Sequence, residues 1–370
     1  MLTGYDDFPI HQACVPIAHT ATADINHYDR YFFNGYTADG SLYFGLAMGL
    51  YPNRHVIDAA FSVVRDQVEQ ASVFASGRAP VDRRDATTVG PIQIEVVEPL
   101  RVLRLHIDAP EQGLRAELTF TAGSDAIEEP HFFQRAGTRV FFDYTRLTQF
   151  GSWQGWVEVD GAKIELADLT VTGSRDRSWG IRPVGEPAPT GAPVAMPQFF
   201  WLWAPVNFAG FSTHFDVNEF GDGRRWHEVG AVAPNGNAAE MMRAVDYRIT
   251  WKPGTRYATA FEYDLIAWNG DVTTVSLEPI FNFQMTGLGY GHPEWNHGSW
   301  RGESVVGGQR MTLPVDDPLT RENVHVQTLC RATCRAADGT ESVGTGILEL
   351  LCVGDHPTGL TGILDGFSPL

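Results

Sequence analysis

The sequence predicts an all-β protein made of two barrel- or sandwich-like domains. Three observations carry this expectation. Short runs rich in Val, Ile, Phe, Tyr and Thr follow one another along the chain. Gly- and Asp-bearing turn signals recur between them at the spacing of antiparallel strands. The 3.6-residue apolar period of an amphipathic helix is scarce.

In chain order the first-half strands are SLYFGLAMGLY, IQIEVVE, VLRLHID, LRAELTFT, RVFFDYTRLTQ, WVEVD and KIELADLTV, with ADGS, APEQG and VDGA between them; FGDG and ADGT mark later turns. VIDAAFSVVRDQVEQASVFASG is open to a helix, although its β-branched residues allow a strand start. EVDGAKIEL reads as a hairpin with Asp160 and Gly161 in the tight turn. Extending LADLTVT as a strand puts Leu169, Val171, Arg175, Arg177 and Trp179 on one face. Thr170, Thr172, Asp176 and Ser178 take the other, and a bulge at Gly173 would exchange the two.

The halves echo each other. RYFFNGYTADGSLYFGLAMGLYPNRHV and QFFWLWAPVNFAGFSTHFDVNEFGDGRRW both run aromatic strand, Gly turn, alternating strand, polar turn. GSWQG (Gly151–Gly155) and GSWRG (Gly298–Gly302) recur late in each half. The stretch RPVGEPAPTGAPVAMP has linker composition. The expected division is a domain over residues 1–183, a Pro/Gly-rich linker over 184–197 and a second domain over 198–370.

Of 370 residues, 43% are hydrophobic and 12% aromatic, enough for two cores, and the net charge is -18. That acidity disfavours nucleic acid and anionic membrane surfaces, which need basic patches. The first twenty residues carry neither a basic n-region nor an apolar h-region, and no apolar run has the length of a spanning helix. Cys14, Cys330, Cys334 and Cys352 read as reduced thiols. No second Cys/His pair completes a zinc site, and a C-x3-C on a strand is too stretched for an easy disulfide. A cytoplasmic protein follows as the expectation.

No G-x-S-x-G, Walker loop, H-E-x-x-H or βαβ-placed G-x-G-x-x-G occurs, so chemistry must come from polar residues set among aromatics. In GSRDRSWGIRP, Asp176 is a proton-transfer candidate tuned by Arg175 or Arg177 and walled by Trp179; the alternative is an Arg–Asp network joining the domains. In RVFFDYTRLTQ, Val140, Phe142, Tyr144, Arg146 and Thr148 share a face. Arg146 is then a polar spot in a lined cavity, or an edge arginine reaching water. YGHPEWNHGSWRGE carries Tyr290, His292, Glu294, His297 and Glu303. Pro293 breaks the regular geometry of a metal set there, leaving His297 as an acid/base group or a structural turn histidine. THFDVNE puts His214 and Asp216 on one face, as an acid/base pair or a surface ion pair. FFWLW, YDRYFF and FNFQM are core, or the wall of an apolar ligand cavity.

The central RDRSWG-x-R after a strand, the two β-rich halves and the late HGSW resemble the carotenoid 1,2-hydratase (hydroxyneurosporene synthase) and AttH-like family. The likeness spans essentially the whole chain, from YFFNGY and YPNRHVIDAAFSVV to FFQRAGTRVFFDYTR. It implies a tandem pair of lipocalin-like (calycin) antiparallel β-barrels with a ligand cavity near their junction. It also implies cofactor-free hydration, cyclisation or pericyclic chemistry on apolar isoprenoid- or polyketide-like molecules. The hydratase type resembles His-Asn-Trp-Gly at the centre. Here Trp179 and Gly180 match, while Arg177 holds the histidine's place and, being permanently protonated, is a poor proton donor. Asp216 is the nearest aspartate beyond the motif to the one that protonates the alkene in that type.

The combined expectation is a lyase or isomerase, without cofactor or metal, acting on a hydrophobic isoprenoid-, steroid- or aromatic-type molecule in a barrel cavity. Asp176, Asp216 and His297 would be catalytic. Tyr144, Arg146, Trp153, Arg175, Arg177, Trp179, His214 and Trp300 would bind substrate. The rival is a non-enzymatic carrier with the same cavity. Neither nucleic acid nor stable membrane insertion is expected, and the oligomeric state is left open.

Overall fold

A computed structural model describes residues 2–80, 85–185 and 198–364. Most of the expected linker, 186–197, lies outside the described residues. The stretch open to a helix is a hairpin of Val56–Arg65 and Glu69–Arg78. Asp66 and Gln67 turn it with positive φ of 54° and 61°. Its β-branched and aromatic residues are buried on both faces, which a strand between two packed layers requires. The expected hairpin at Asp160 and Gly161 forms with φ of 52° and 79° and Val159 paired to Ala162.

The long strands form two antiparallel sheets. The first runs, in spatial order, Ser304–Thr312, Glu69–Arg78, Val56–Arg65, Leu42–Tyr51, His27–Thr37, Val171–Ile181, Arg139–Val159, Leu114–Ala122, Val102–Ala109, Ile92–Glu98 and Thr88–Val89. Its far ends meet: a Cβ on Gly90 would touch Ala75 and Val306. Ser304–Thr312, from late in the chain, extends this sheet beside Glu69–Arg78. The second sheet runs Glu240–Met241, Arg225–Pro234, Phe211–Glu219, Phe199–Trp203, Glu341–Val353, Val326–Arg335, Val272–Gln284, Ala258–Ile266 and Ala244–Trp251. Gly230 lies against Val245 and Leu265, so this sheet also rolls up. The fold is a tandem pair of lipocalin-like β-barrels.

Alternation along these strands makes three apolar layers. Phe33, Phe44, Phe61, Leu118, Phe120 and Trp153 fill the first barrel. Phe200, Leu202, Phe215, Val217, Leu348 and Leu350 fill the second. Between them, Phe32, Tyr43 and Phe74 point outward from the first sheet onto Trp203, Phe283 and Leu329. Each such side chain stabilises by about 1.5–3 kcal/mol through burial. Strands serving both a lumen and the seam are buried on both faces, which explains the near-continuous apolar run SLYFGLAMGLY.

Val171–Ile181 pairs with Arg139–Val159 without a register shift, so Gly173 makes no bulge there and the faces stand as alternation places them. The glycine is required by close approach: a Cβ there would run into the Asn34 backbone carbonyl and the Trp153 indole nitrogen. Gly173→Ala is expected to cost about 1–3 kcal/mol through overpacking, read as a lowered thermal unfolding midpoint. An unchanged midpoint would contradict this packing.

A candidate active site at the seam between the barrels

Three adjacent strands build one wall of the seam. Their registers align Phe32, Asp176 and Thr148 in one cross-strand row and Arg30, Ser178 and Arg146 in the next. Tyr28, Gly180 and Tyr144 form a third row. Opposite lies a row in which Trp203 pairs with both Asp216 and Glu349, and Glu349 with Gln327.

Arg146 is 6% exposed, so it is no edge arginine reaching water. Its Nε and Nη2 donate to the two Glu129 oxygens at 2.9 and 2.6 Å, and Nη2 also contacts Asp216. The guanidinium stands over the rings of Phe132 and Trp201 at 4.8 and 5.5 Å. Thr148 Oγ1 donates to Glu129 at 2.6 Å. Asp216 accepts from Trp201 Nε1 at 3.0 Å and Asn218 Nδ2 at 3.2 Å. Burial opposes the charge of Glu129, but Arg146 overcomes it and holds that carboxylate at about 2. Burial raises Asp216 well above the usual carboxylate range, against the pull of Arg146. His214 and His227 stand within 3.6–4.0 Å of these carboxylates, and burial lowers them to about 4 and 3, so both are neutral. His214 and Asp216 are fully buried, not a surface pair.

Among the described residues, Glu129, Asp216 and His227 form a group whose ligand atoms all lie within 4.8 Å of one another. The Arg146 guanidinium already supplies the cation between the two carboxylates. A metal ion would have to displace it.

Asp176 differs from every other acid in the seam. It is half-buried, and among the described residues its carboxyl has no hydrogen-bond or ion-pair partner. Burial pushes it up to about 6, with Arg146 opposing and Glu349 and Glu129 adding to the rise. It shares no network with its sequence neighbours. Arg175 faces the first barrel, donating from Nε to Gln149 Oε1 at 2.8 Å, and burial lowers it to about 10. Arg177 pairs with Asp29 and stacks 3.9 Å over Tyr31, at an opening lined by Met48, Leu50 and Thr87.

His297 donates from Nε2 to the Leu288 carbonyl at 2.8 Å, leaving Nδ1 to accept from Arg30. Burial holds it well below the usual imidazole range, so it stays neutral. His292 Nδ1 accepts the backbone N–H groups of Glu294 and Trp295, each at 3.0 Å, as a turn-capping residue. The seam thus gathers Asp176, Asp216, His297, Tyr144, Arg146 and His214. It does not gather Arg175, Arg177 or three of the tryptophans. Trp153 lies in the first barrel's core with its Nε1 donating to the Asn34 carbonyl at 2.8 Å. Trp179 and Trp300 are 41% and 48% exposed.

One family model, described as "Family of unknown function (DUF8625)", matches residues 2–361. The chain belongs to this family. No curated protein matches the sequence. Among solved structures, the DUF8625 chain is similar to a Nitrosomonas europaea protein assigned as AttH, with 15% identity and a TM-score of 0.55 over 93% of this chain and 98% of that one. It is also similar to CghA solved with Sch210972, at 10% identity and a TM-score of 0.53 over 88% of each chain. CghA alone gives 10%, 0.51 and 89% of each. At these identities the likeness shows the AttH-like fold. No helix of the described DUF8625 residues is long and apolar enough to cross a membrane.

Sequence reasoning missed Glu129, Glu349, His227, Arg30 and Arg182 in this DUF8625 seam. A signal existed for Arg30. In YDRYFFNGY, period 2 lines up Tyr28, Arg30, Phe32 and Asn34, the same polar-among-aromatic pattern that singled out Arg146. For Glu129 no spacing signal existed, because Ile127–Glu128 is only a two-residue strand beside Leu147 and Thr148.

Proposed function

We propose that this protein is a lyase or isomerase that transfers a proton from Asp176 to a hydrophobic small molecule bound at the seam. One observation carries the reading: a half-buried carboxyl with no partner among the described residues, held protonated toward neutral pH, inside an aromatic-walled junction. Both lumens are filled by core side chains, which favours the seam over a barrel cavity as the binding place. The shared fold with CghA, whose structure holds Sch210972, supports a small-molecule ligand.

In the proposed step the Asp176 proton adds to an alkene or enol carbon. Loss of a proton from a neighbouring carbon to the Asp176 carboxylate then gives a shifted double bond, and capture of water, with its proton passing to that carboxylate, gives an alcohol. Trp201, Trp203 and Phe32 would face the developing positive charge, and the fixed Arg146–Glu129–Asp216 cluster would set the field without exchanging protons. Asp216 and His297 are held by partners, which leaves Asp176 as the donor. Because the acid form does the work, kcat/KM is expected to fall as pH rises through about 6.

The test is incubation of a native-host apolar extract in deuterium oxide with wild type and Asp176→Asn, followed by mass spectrometry. A metabolite that gains one deuterium only with wild type supports the reading. A compound bound unchanged and equally by both proteins would establish the carrier instead.

A further inference from the structure

We propose that the seam's ligand carries an anionic oxygen group, a carboxylate or its equivalent, bound by Arg182 with Arg30 behind it. This rests on the reading of the seam as a ligand site. Of the other inward-facing arginines, three are already spent on partners and Arg175 points elsewhere. Arg146 meets Glu129 and Asp216, and Arg177 meets Asp29. Arg256 gives its donors to the backbone carbonyls of Cys352, Gly354, Thr361 and Gly362. Arg175 faces the first barrel, away from the seam.

Among the described residues Arg30 and Arg182 have no such counter-ion. Arg30 is 2% exposed, contacts only the neutral His297 through Nη1, and its Nη2 is buried without a partner. Arg182 makes no side-chain hydrogen bond among the described residues, and its Nε is likewise buried and unpartnered. Each lies over a tyrosine, Arg182 4.7 Å from the Tyr28 ring centre and Arg30 4.9 Å from that of Tyr290. Acids within electrostatic reach do not satisfy them. Asp58 accepts from Tyr51 Oη at 3.2 Å and from Gly298 N at 2.6 Å, and Asp176 accepts from none of the described residues.

Burying a guanidinium without an anion costs several kcal/mol. Two of them lie in one tyrosine-lined corner with no anion paired to them among the described residues. Arg182 keeps partial exposure and lies within electrostatic reach of Asp176. An anion bound there would therefore fix a ligand whose apolar part extends along the row of Phe32 and Asp176. The guanidinium fork suits planar oxyanions.

Two fluorescent dyes test this: 1-anilinonaphthalene-8-sulfonate and N-phenyl-1-naphthylamine, which share a ring system and differ by the sulfonate. Wild type is expected to bind the sulfonate dye at least about tenfold more tightly, the worth of one charge-assisted contact. Arg182→Gln should abolish that preference while leaving the neutral dye within about twofold, and Arg182→Lys should keep part of it. Arg78→Gln, at an exposed arginine, should change neither affinity. Unfolding midpoints measured alongside confirm that each variant is folded. If the neutral dye binds equally well, or Arg182→Gln weakens both dyes alike, the anion assignment is overturned while an apolar seam ligand stands. If neither dye binds folded wild type, both readings fall.

Discussion

Asp176→Asn is expected to stabilise the protein at pH 8 by about 1–3 kcal/mol while removing proton transfer. The carboxyl sits at about 6 in the folded chain against 3.8 when unperturbed, and each unit of difference is worth about 1.4 kcal/mol. A raised acid binds its proton more tightly when folded. Its favourable contribution is complete below the unfolded value and is lost as pH rises through about 6. Above that pH the ionised side chain is a burden that asparagine does not carry. The stability gain should therefore be absent at pH 4 and full at pH 8, read from urea unfolding midpoints at the two pH values. Loss of stability on substitution at pH 8 would mean that Asp176 is a paired structural carboxylate. Gain in stability with loss of chemistry is the signature of a group retained for function.

Arg146→Ala should do the opposite, and more strongly. It strips the guanidinium from Glu129 and Asp216, both fully buried, and leaves two carboxyls facing neutral imidazoles. Removing one partner of a buried ion pair costs about 3–5 kcal/mol, mostly through the uncompensated charge left behind. A companion variant, Arg146→Met with Glu129→Gln, removes charge from both sides and should recover much of that loss. Denaturant midpoints of the two proteins decide the matter. A cost below about 1 kcal/mol for Arg146→Ala would place the arginine in water and dissolve the cluster.

The fold was legible because its evidence is local. Strand composition, turn chemistry and the VDGA hairpin each act over a few residues, and period 2 placed Arg146 with Tyr144 and Thr148 on one face. The stretch from Val56 misled toward a helix because strands buried on both faces lose their alternation. The site was half legible. Asp176, Arg146, Asp216 and His297 announced themselves as polar residues among aromatics. Their partners did not, since Glu129 and Glu349 reach the seam through tertiary packing of segments far apart in sequence. Trp153 shows the converse error. Trp153 and Trp300 share the pentapeptide echo, yet one indole is core and the other half-exposed, because Trp153 lies within the strand Arg139–Val159 while Trp300 lies in the irregular segment before Ser304–Thr312.

The central claim is that the seam holds an unpaired, half-buried acid. Carbon-13 NMR of the side-chain carboxyls, titrated from pH 3 to pH 9, tests it most directly, with the Asp176 resonance assigned by its absence in Asp176→Asn. A midpoint near 6 is expected for that resonance. A midpoint at or below 3.8, the unperturbed value, would show the carboxyl to be solvated or ion-paired and would contradict the account.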